Sequence, residues 1–559
     1  MTNHFKLILG CLLLFLVGCH QEQALPKLHY QFSYQPGPNP MMKITLTAPA
    51  DSSGTTIFSY PDQSWGQDSL QNAIQQLEMM GQGQIERKRD SGWLVIEHPK
   101  ELDSLQFSYT LVQDFQGPPA TKDVYRPIID SSYFQLFGHH LFAFPKDFQD
   151  NDTRFDARLD WTNVPEAISL QNSFGSQQRV QELKGIDPSF FTETVHFGGD
   201  YRIHEIDIEG NTVALAIRDQ WLVFSDSTMV AVLKATVQAQ RDFWKDHTQQ
   251  YFSVSIIPTA EQRGSSYQGT GLPQAFATAA SNNKDLDAEG LVYLFNHELQ
   301  HKWTGQTLKN ENEEEQYWFS EGFTDYYTMK NIAKNNIYEL DGNFFIKSFN
   351  QAVRNLYQSP VRAAPNSEIN YDNFWSDRHY SKLPYYRGTV FAGYLDMLIN
   401  KDSNGEQSLD DVMHDLLQHK DKKINREHFL NTVNKYTAES VDSFFDRHIE
   451  QGVLFDLQAI YKLFDLSYQS KSEVFDLGYK RDEALMISEV DSTANIFKAG
   501  LRVGDQIRSG NFQWDLPDVE AVFTIRRDGN DFDIRFFPSK PSDIPQLINS
   551  PQNLSTLGY

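Results

Sequence analysis

Short runs in which apolar and polar residues alternate fill the first third of the chain, as in "MKITLTAP", "GWLVIEHP" and "LQFSYTLV", and clusters of Gly, Pro, Asp and Ser separate them. Successive side chains of a strand point to opposite faces, so this period predicts strands with one buried face and, over residues 28–190, an all-β sandwich. At Ser225 the period changes. "SDSTMVAVLKATVQAQRDFWKDH" repeats apolar residues at helical spacing, with Ser225 or Asp226 placed to cap its start. A β-rich piece, "YFSVSIIPT", follows, and then the Gly-rich "RGSSYQGTGLPQAFATAAS", which reads as a loop leading into an edge strand. Helical patterning holds from there to about residue 460, so 191–460 is expected to be one mixed α and β domain. Beyond it "ALMISEVD" is patterned as a strand, "ANIFKAGLRVGDQI" as a short helix ended by Gly500, and "AVFTIRRDGNDFDIRFF" as a hairpin turning at Asp528-Gly529. Residues 461–541 are therefore expected to form a small β domain, with 542–559 as a tail.

Length agrees with several domains, because 559 residues exceed what one hydrophobic core serves. An apolar fraction of 40% with 13% aromatics is enough to build such cores. A formal charge of −25 argues against broad electrostatic attraction to nucleic acid or to anionic lipid. No phosphate-binding loop of the Walker type is present, and "GTGLPQ" lacks the third small residue of a dinucleotide fingerprint.

The first residues add a targeting signal. In "MTNHFKLILGCLLLFLVGC", Lys6 precedes an apolar run from Leu7 to Val17 that is too short to span a bilayer comfortably. The run ends in Leu16-Val17-Gly18-Cys19, which resembles the bacterial lipobox. That resemblance implies a signal peptide over 1–18, a lipid on Cys19, a tether over 19–27, and a mature chain anchored at the bacterial cell envelope, facing the periplasm or the outside. Cys11 and Cys19 both lie in this segment, so no disulfide is expected in the mature chain.

Candidate chemistry is concentrated in "LVYLFNHELQHKWTG". Residues four apart on a helix lie one turn above each other, so His297 and His301 can aim at one metal ion. Glu298, between them, stands beside such an ion without binding it, where a general base must be to take a proton from water. A third ligand is required. Thr304 and Thr307 stand where the metzincin pattern needs Gly and His. Separated from His301 by nineteen residues, however, Glu321 is offered by "EEEQYWFSEGFTDYYTMKNIA" on an amphipathic helix. Asp325, one turn further on, can hold a ligand imidazole in the right tautomer. His139-His140 is a weaker candidate, because adjacent strand residues face opposite ways.

The spacing of His297, Glu298, His301 and Glu321 is that of gluzincin peptidases. "HELQHKWTG" is similar to the metal helix of the aminopeptidase N and leukotriene hydrolase family, whereas "WFSEGFTDYY" resembles the PDZ-containing glycyl aminopeptidases more closely. The resemblance implies one Zn²⁺ per chain on His297, His301 and Glu321, within a thermolysin-like α+β domain. It further implies that Tyr385, in Tyr385-Tyr386-Arg387-Gly388, donates to the oxyanion, with Tyr386 the next choice and Tyr380 matching another tyrosine of that loop. Gly269, Gly271 and Leu272 would bind an extended peptide backbone. Ala499-Gly500-Leu501 and Gly504-Asp505-Gln506-Ile507 resemble a bacterial PDZ domain, which makes Leu477-Gly478-Tyr479 the expected loop for a peptide carboxylate. The expected partners are peptides or polypeptide termini and, through the lipid, a membrane. One position departs from the family. Pro273-Gln274 stands where aminopeptidases carry an acidic anchor for the substrate's ammonium group, which keeps an endopeptidase reading open. From another class, a catalytically idle lipoprotein that binds peptide through its PDZ domain is the rival.

Overall fold

The computed structural model describes residues 25–514 and 516–559; the signal segment and Cys19 lie outside the described residues. Among the described residues no helix is long and apolar enough to cross a membrane.

Alternation builds the N-terminal part. In Lys27–Gln35 and Met41–Pro49 every second side chain is buried, and these strands pair antiparallel at the centre of a six-stranded sheet. Phe32, Ile44 and Phe107 of that sheet share one core with Phe58, Leu94 and Ile96 of a four-stranded sheet, so the two pack face to face. A third sheet contains Tyr133–Phe137, buried at all five positions because both of its faces are covered. Phe134 and Leu136 point into the sandwich core, whereas Tyr133 and Phe137 pack with Leu272, Ala275 and Ala277 of the next domain. Val195–Gly199 pairs with Tyr133–Phe137, so the strand-rich part runs past residue 190.

His139 and His140 do not alternate on a strand. They occupy a single helical turn, Gly138–Leu141, and both are inside the protein, where burial pushes His139 down to about 3. The His139 ring packs tilted against Trp65 with centroids 4.4 Å apart, which leaves the pair as neutral core side chains.

The next domain opens on a five-stranded sheet in the order Arg202–Ile208, Asn211–Ile217, Tyr251–Thr259, Ala275–Ser281, Tyr267–Leu272. Its last member is an antiparallel edge strand. Ser225 caps the helix Asp226–Trp244 by accepting from the Thr228 amide. That helix and Ala288–Gln300 cover the sheet, with Leu291, Val292, Phe295 and Leu299 packed against Val254, Ile256 and Phe276. Helices to Leu463 then surround a second core around Trp318, Phe323, Phe391 and Phe429.

The C-terminal β region contains the expected short helix, Asn495–Lys498, followed by Gly500 at φ +117°. Its hairpin turns at Asp528 and Gly529, whose φ values of 49° and 81° give the turn the left-handed geometry that matches strand twist. Residues 542–559 are not a tail. Ile544, Leu547 and Leu557 belong to the helical core, and Pro551–Thr556 is helical. The chain leaves the helical domain at Tyr468–Gln469 and returns beside it at Gln546–Leu547, the two segments pairing antiparallel. The β region is thus an insertion in the helical domain.

Candidate metal centre

The helix Ala288–Gln300 starts at the Asp287 cap and carries His297 and Glu298 in its last turn, with His301 at its C-cap. The Nε2 atoms of His297 and His301 are 3.1 Å apart, and Glu321 Oε2 lies 3.3 Å from the first and 3.6 Å from the second. Ligand atoms bonded at about 2.0–2.1 Å to one tetrahedral ion are themselves about 3.3 Å apart, so the three atoms fit a single Zn²⁺. Glu321 Oε2 is buried and accepts no hydrogen bond, which is the condition of a carboxylate oxygen reserved for a cation. Two imidazoles and one carboxylate leave a fourth position for water or substrate.

Each histidine is turned toward the centre by its other nitrogen. His297 Nδ1 is 2.9 Å from Asp325 Oδ1, and His301 Nδ1 is 3.1 Å from the Thr304 carbonyl oxygen. The charges are mutually held. Burial disfavours a charged His297, but the adjacent carboxylates of Asp325 and Glu321 outweigh burial and raise it to about 10. Burial likewise opposes an ionised Glu321, yet His301, His297 and the Tyr385 hydroxyl hold its carboxyl down at about 2.

Glu321 stands at the junction of Glu313–Ser320 and Gly322–Lys334, with φ −103° and ψ −47°, and the helical hydrogen bonds continue through it, its amide donating to the Tyr317 carbonyl and its carbonyl accepting from the Asp325 amide, both at 2.9 Å. The helix Arg378–Asp402 crosses at that point. Its Tyr385 ring stacks 5.8 Å from His297, and its phenol interacts with the Glu321 carboxylate; burial and that carboxylate keep the phenol protonated. Lys382 Nζ stands 4.0 Å over the Tyr385 ring. Arg387 does not face the site. It is buried and donates to the carbonyls of Ala364 and Arg362, which anchors the helix. Tyr386 lines a cavity of about 260 Å³ with Asp287, Tyr293, Asp325 and Leu516, the last contributed by the C-terminal β region. Tyr380 is five residues before Tyr385, roughly 140° around the helix, and packs half-buried on the helical core.

The glycines of the edge strand Tyr267–Leu272 have a packing reason. A Cβ on Gly269 would meet the Phe276 ring at 2.6 Å and one on Gly271 would meet the Glu298 carbonyl oxygen at 2.9 Å, so only glycine lets the strand lie on the metal-site helix. This approach lets the Gly271 amide donate to Glu298 Oε2 at 3.0 Å and orient the candidate base. The Leu272 side chain is buried between domains and its backbone pairs with Ala275, so neither is available to a substrate. At Leu477-Gly478-Tyr479 the Gly478 amide already donates to Asp476 Oδ1 at 2.7 Å, so a peptide carboxylate would have to displace that aspartate.

Residues 270–448, which include all three candidate ligands, match the Peptidase family M1 domain. No curated protein sequence matches the chain. Among solved structures, the fold is similar to an aminopeptidase N family protein from Idiomarina loihiensis, with 14% identity, 95% of this chain and 99% of that chain covered, and a TM-score of 0.69. An M1 zinc metallopeptidase from Deinococcus radiodurans matches at 12% identity over 78% of this chain and 95% of its own, with a TM-score of 0.45. Native yeast LTA4 hydrolase matches at 14% identity over 79% of this chain and 71% of its own, also at 0.45. The chain therefore shares its fold with the Idiomarina aminopeptidase N family protein, and the part that holds the candidate ligands matches the M1 peptidase domain.

Proposed function

We propose that the protein is a zinc metallopeptidase that cleaves peptides by an aminopeptidase-like mechanism, tethered to a bacterial envelope through lipid on Cys19. The convergence of three ligand atoms within 3.1–3.6 Å of one another, next to an oriented glutamate, carries this reading. Zn²⁺ bound to His297, His301 and Glu321 would supply a Lewis acid for water and the scissile carbonyl. Glu298, held by the Gly271 amide, takes a proton from the attacking water and then passes it to the leaving amine. Tyr385 donates its hydroxyl hydrogen to the oxyanion as charge develops there. Asp325 and Thr304 keep both imidazoles aimed, so little reorganisation is needed on binding. We assign the inserted β region to one wall of the cavity beside Asp325 through Leu516. The idle-lipoprotein alternative is disfavoured because the ligands, the base and the phenol are all present in one site.

The test is hydrolysis of N-terminally free and N-terminally blocked peptides by zinc-loaded protein, with chelator and Glu298→Gln controls. Zinc-dependent turnover lost in Glu298→Gln supports the reading. Absence of turnover by zinc-loaded wild type on every peptide overturns it.

A further inference from the structure

The edge strand Tyr267–Leu272 presents alternate backbone groups outward, away from its partner Ala275–Ser281. Two hydrogen bonds mark which residues these are: the Gly271 amide reaches Glu298, and the Gly269 carbonyl accepts from the Tyr125 hydroxyl at 2.8 Å. A peptide added to this edge would use the same outward groups. The Gly269 carbonyl is already used, by a residue of the N-terminal β domain 144 positions away in sequence, and the Gly271 amide holds Glu298, which leaves the Gly271 carbonyl as the outward group beside the catalytic glutamate.

Tyr125 does not reach over alone. The Ala260 amide donates to the Pro119 carbonyl at 2.8 Å, the Thr121 amide donates to Glu261 Oε1 at 2.8 Å, and the Thr121 and Ser266 hydroxyls are 2.6 Å apart. Residues 119–125 therefore run beside the loop that leads into the edge strand and cover the chain from Ser266 to Gly269. The Tyr125 ring is packed by Trp65 at 5.8 Å and Phe137 at 5.9 Å, and burial together with the nearby Glu298 charge keeps its phenol a donor.

We propose that Tyr125 is a specificity-determining length stop: by occupying the Gly269 carbonyl it confines an extended substrate to the stretch of edge strand at Gly271 beside Glu298. The inference rests on the peptidase reading and names its substrate class, short peptides limited on one side of the cleaved bond. Two strand residues span about 6.8 Å, so the room between the catalytic glutamate and the stop takes about one residue on that side. The stop reads length and not charge. It therefore limits the substrate where no acidic side chain holds a terminal ammonium group, Pro273-Gln274 being at that turn, and a small neutral cap on the terminus is tolerated.

The experiment uses full-length zinc-loaded protein and a peptide series lengthened one glycine at a time at each end, free or acetylated. Wild type should lose at least about tenfold in kcat/KM once one particular end is lengthened past one residue, the worth of one or two ladder bonds. Acetylation of the shortest peptide should change the rate by less than about threefold. Tyr125→Ala should flatten the length profile through KM, with kcat on the shortest peptide within about threefold of wild type, and Tyr125→Phe should flatten it in part. Zinc content and melting temperature check that both variants are folded. A wild-type profile indifferent to length at both ends, or the same profile in wild type and Tyr125→Phe with Tyr125→Ala, overturns the proposal. Calorimetric binding of the same series to Glu298→Gln separates the two readings: truncated binding without turnover in wild type supports the stop and defeats the peptidase, whereas turnover without length discrimination does the reverse.

Discussion

Gly322 and Gly388 meet backbone to backbone where the helix after Glu321 crosses the helix of Tyr385: a Cβ on Gly322 would lie 2.4 Å from Gly388 Cα. On the other side, a Cβ on Gly388 would lie 2.0 Å from the Trp318 carbonyl oxygen. Neither contact is with a flexible side chain, so any methyl group at this crossing separates the helices. Gly388→Ala should cost about 1–3 kcal/mol of stability and move Tyr385 away from Glu321. Thermal melting would show the first effect. A fall in kcat comparable with that of Tyr385→Phe, with zinc still bound, would show the second; unchanged kcat would mean that the crossing does not position the phenol.

Glu298→Gln keeps the shape of the side chain and removes its basicity. The Gly271 amide can still donate to the amide oxygen, so the strand should stay in place. Turnover should fall about 100- to 10,000-fold while bound zinc, read by metal analysis, stays near one per chain. Loss of zinc would instead assign Glu298 to the ligand set.

Asp325→Ala leaves His297 Nδ1 without its acceptor. Zinc affinity, measured by competition with a chromophoric chelator, should weaken about 10- to 100-fold. Asp325→Asn, whose amide oxygen can still accept, should lose less. Equal losses in the two variants would point to the carboxylate charge and not to imidazole orientation.

Lys330 lies 2.7 Å from both Asp396 Oδ2 and Asp410 Oδ1 in the helical core. Burial disfavours its ammonium group, but the two carboxylates outweigh burial and raise it; Asp410, against burial, is lowered by Lys330 and Lys334. The raised lysine stabilises the fold below its unfolded value of about 10.4, and this contribution is lost as pH rises through the folded value. The lowered aspartate stabilises above about 3.9 and loses that contribution as pH falls through its folded value. Lys330→Met leaves the buried Asp396 carboxylate without a cation and Asp410 with Lys334 alone, and should cost about 3–5 kcal/mol, the deficit being fullest between about pH 5 and 9. Denaturant unfolding of wild type and variant across pH checks this. A deficit that grows steadily from pH 9 to 11 would contradict it.

What could be read before the fold was known was local. His297 and His301 are one helical turn apart, and Asp528-Gly529 has a turn chemistry of its own, so neither depends on distant residues. Glu321 is legible as an acidic residue on an amphipathic segment, but the helix crossing beside it is not, because it joins Gly322 to Gly388 sixty-six positions on. Tyr125 left no local trace: its role depends on contact between two domains. Thr304 acts through its backbone carbonyl, which residue type does not reveal. His139 and His140 were read as strand residues because the alternating pattern around them continues through a single helical turn.

The neck formed by Tyr468–Gln469 and Gln546–Leu547 also constrains mechanics. A domain on one thread can swivel about any axis, whereas one hung from two paired strands cannot twist without breaking their ladder. The inserted β region is therefore a lever with a fixed fulcrum. Away from the neck, Asn511 touches Asp285, the Arg378 guanidinium lies 5.7 Å from the Trp514 ring, and Leu516 lines the cavity beside Asp325, so this lever rests on the catalytic part at three points. A tilt about the neck would move Leu516, and with it one wall of that cavity.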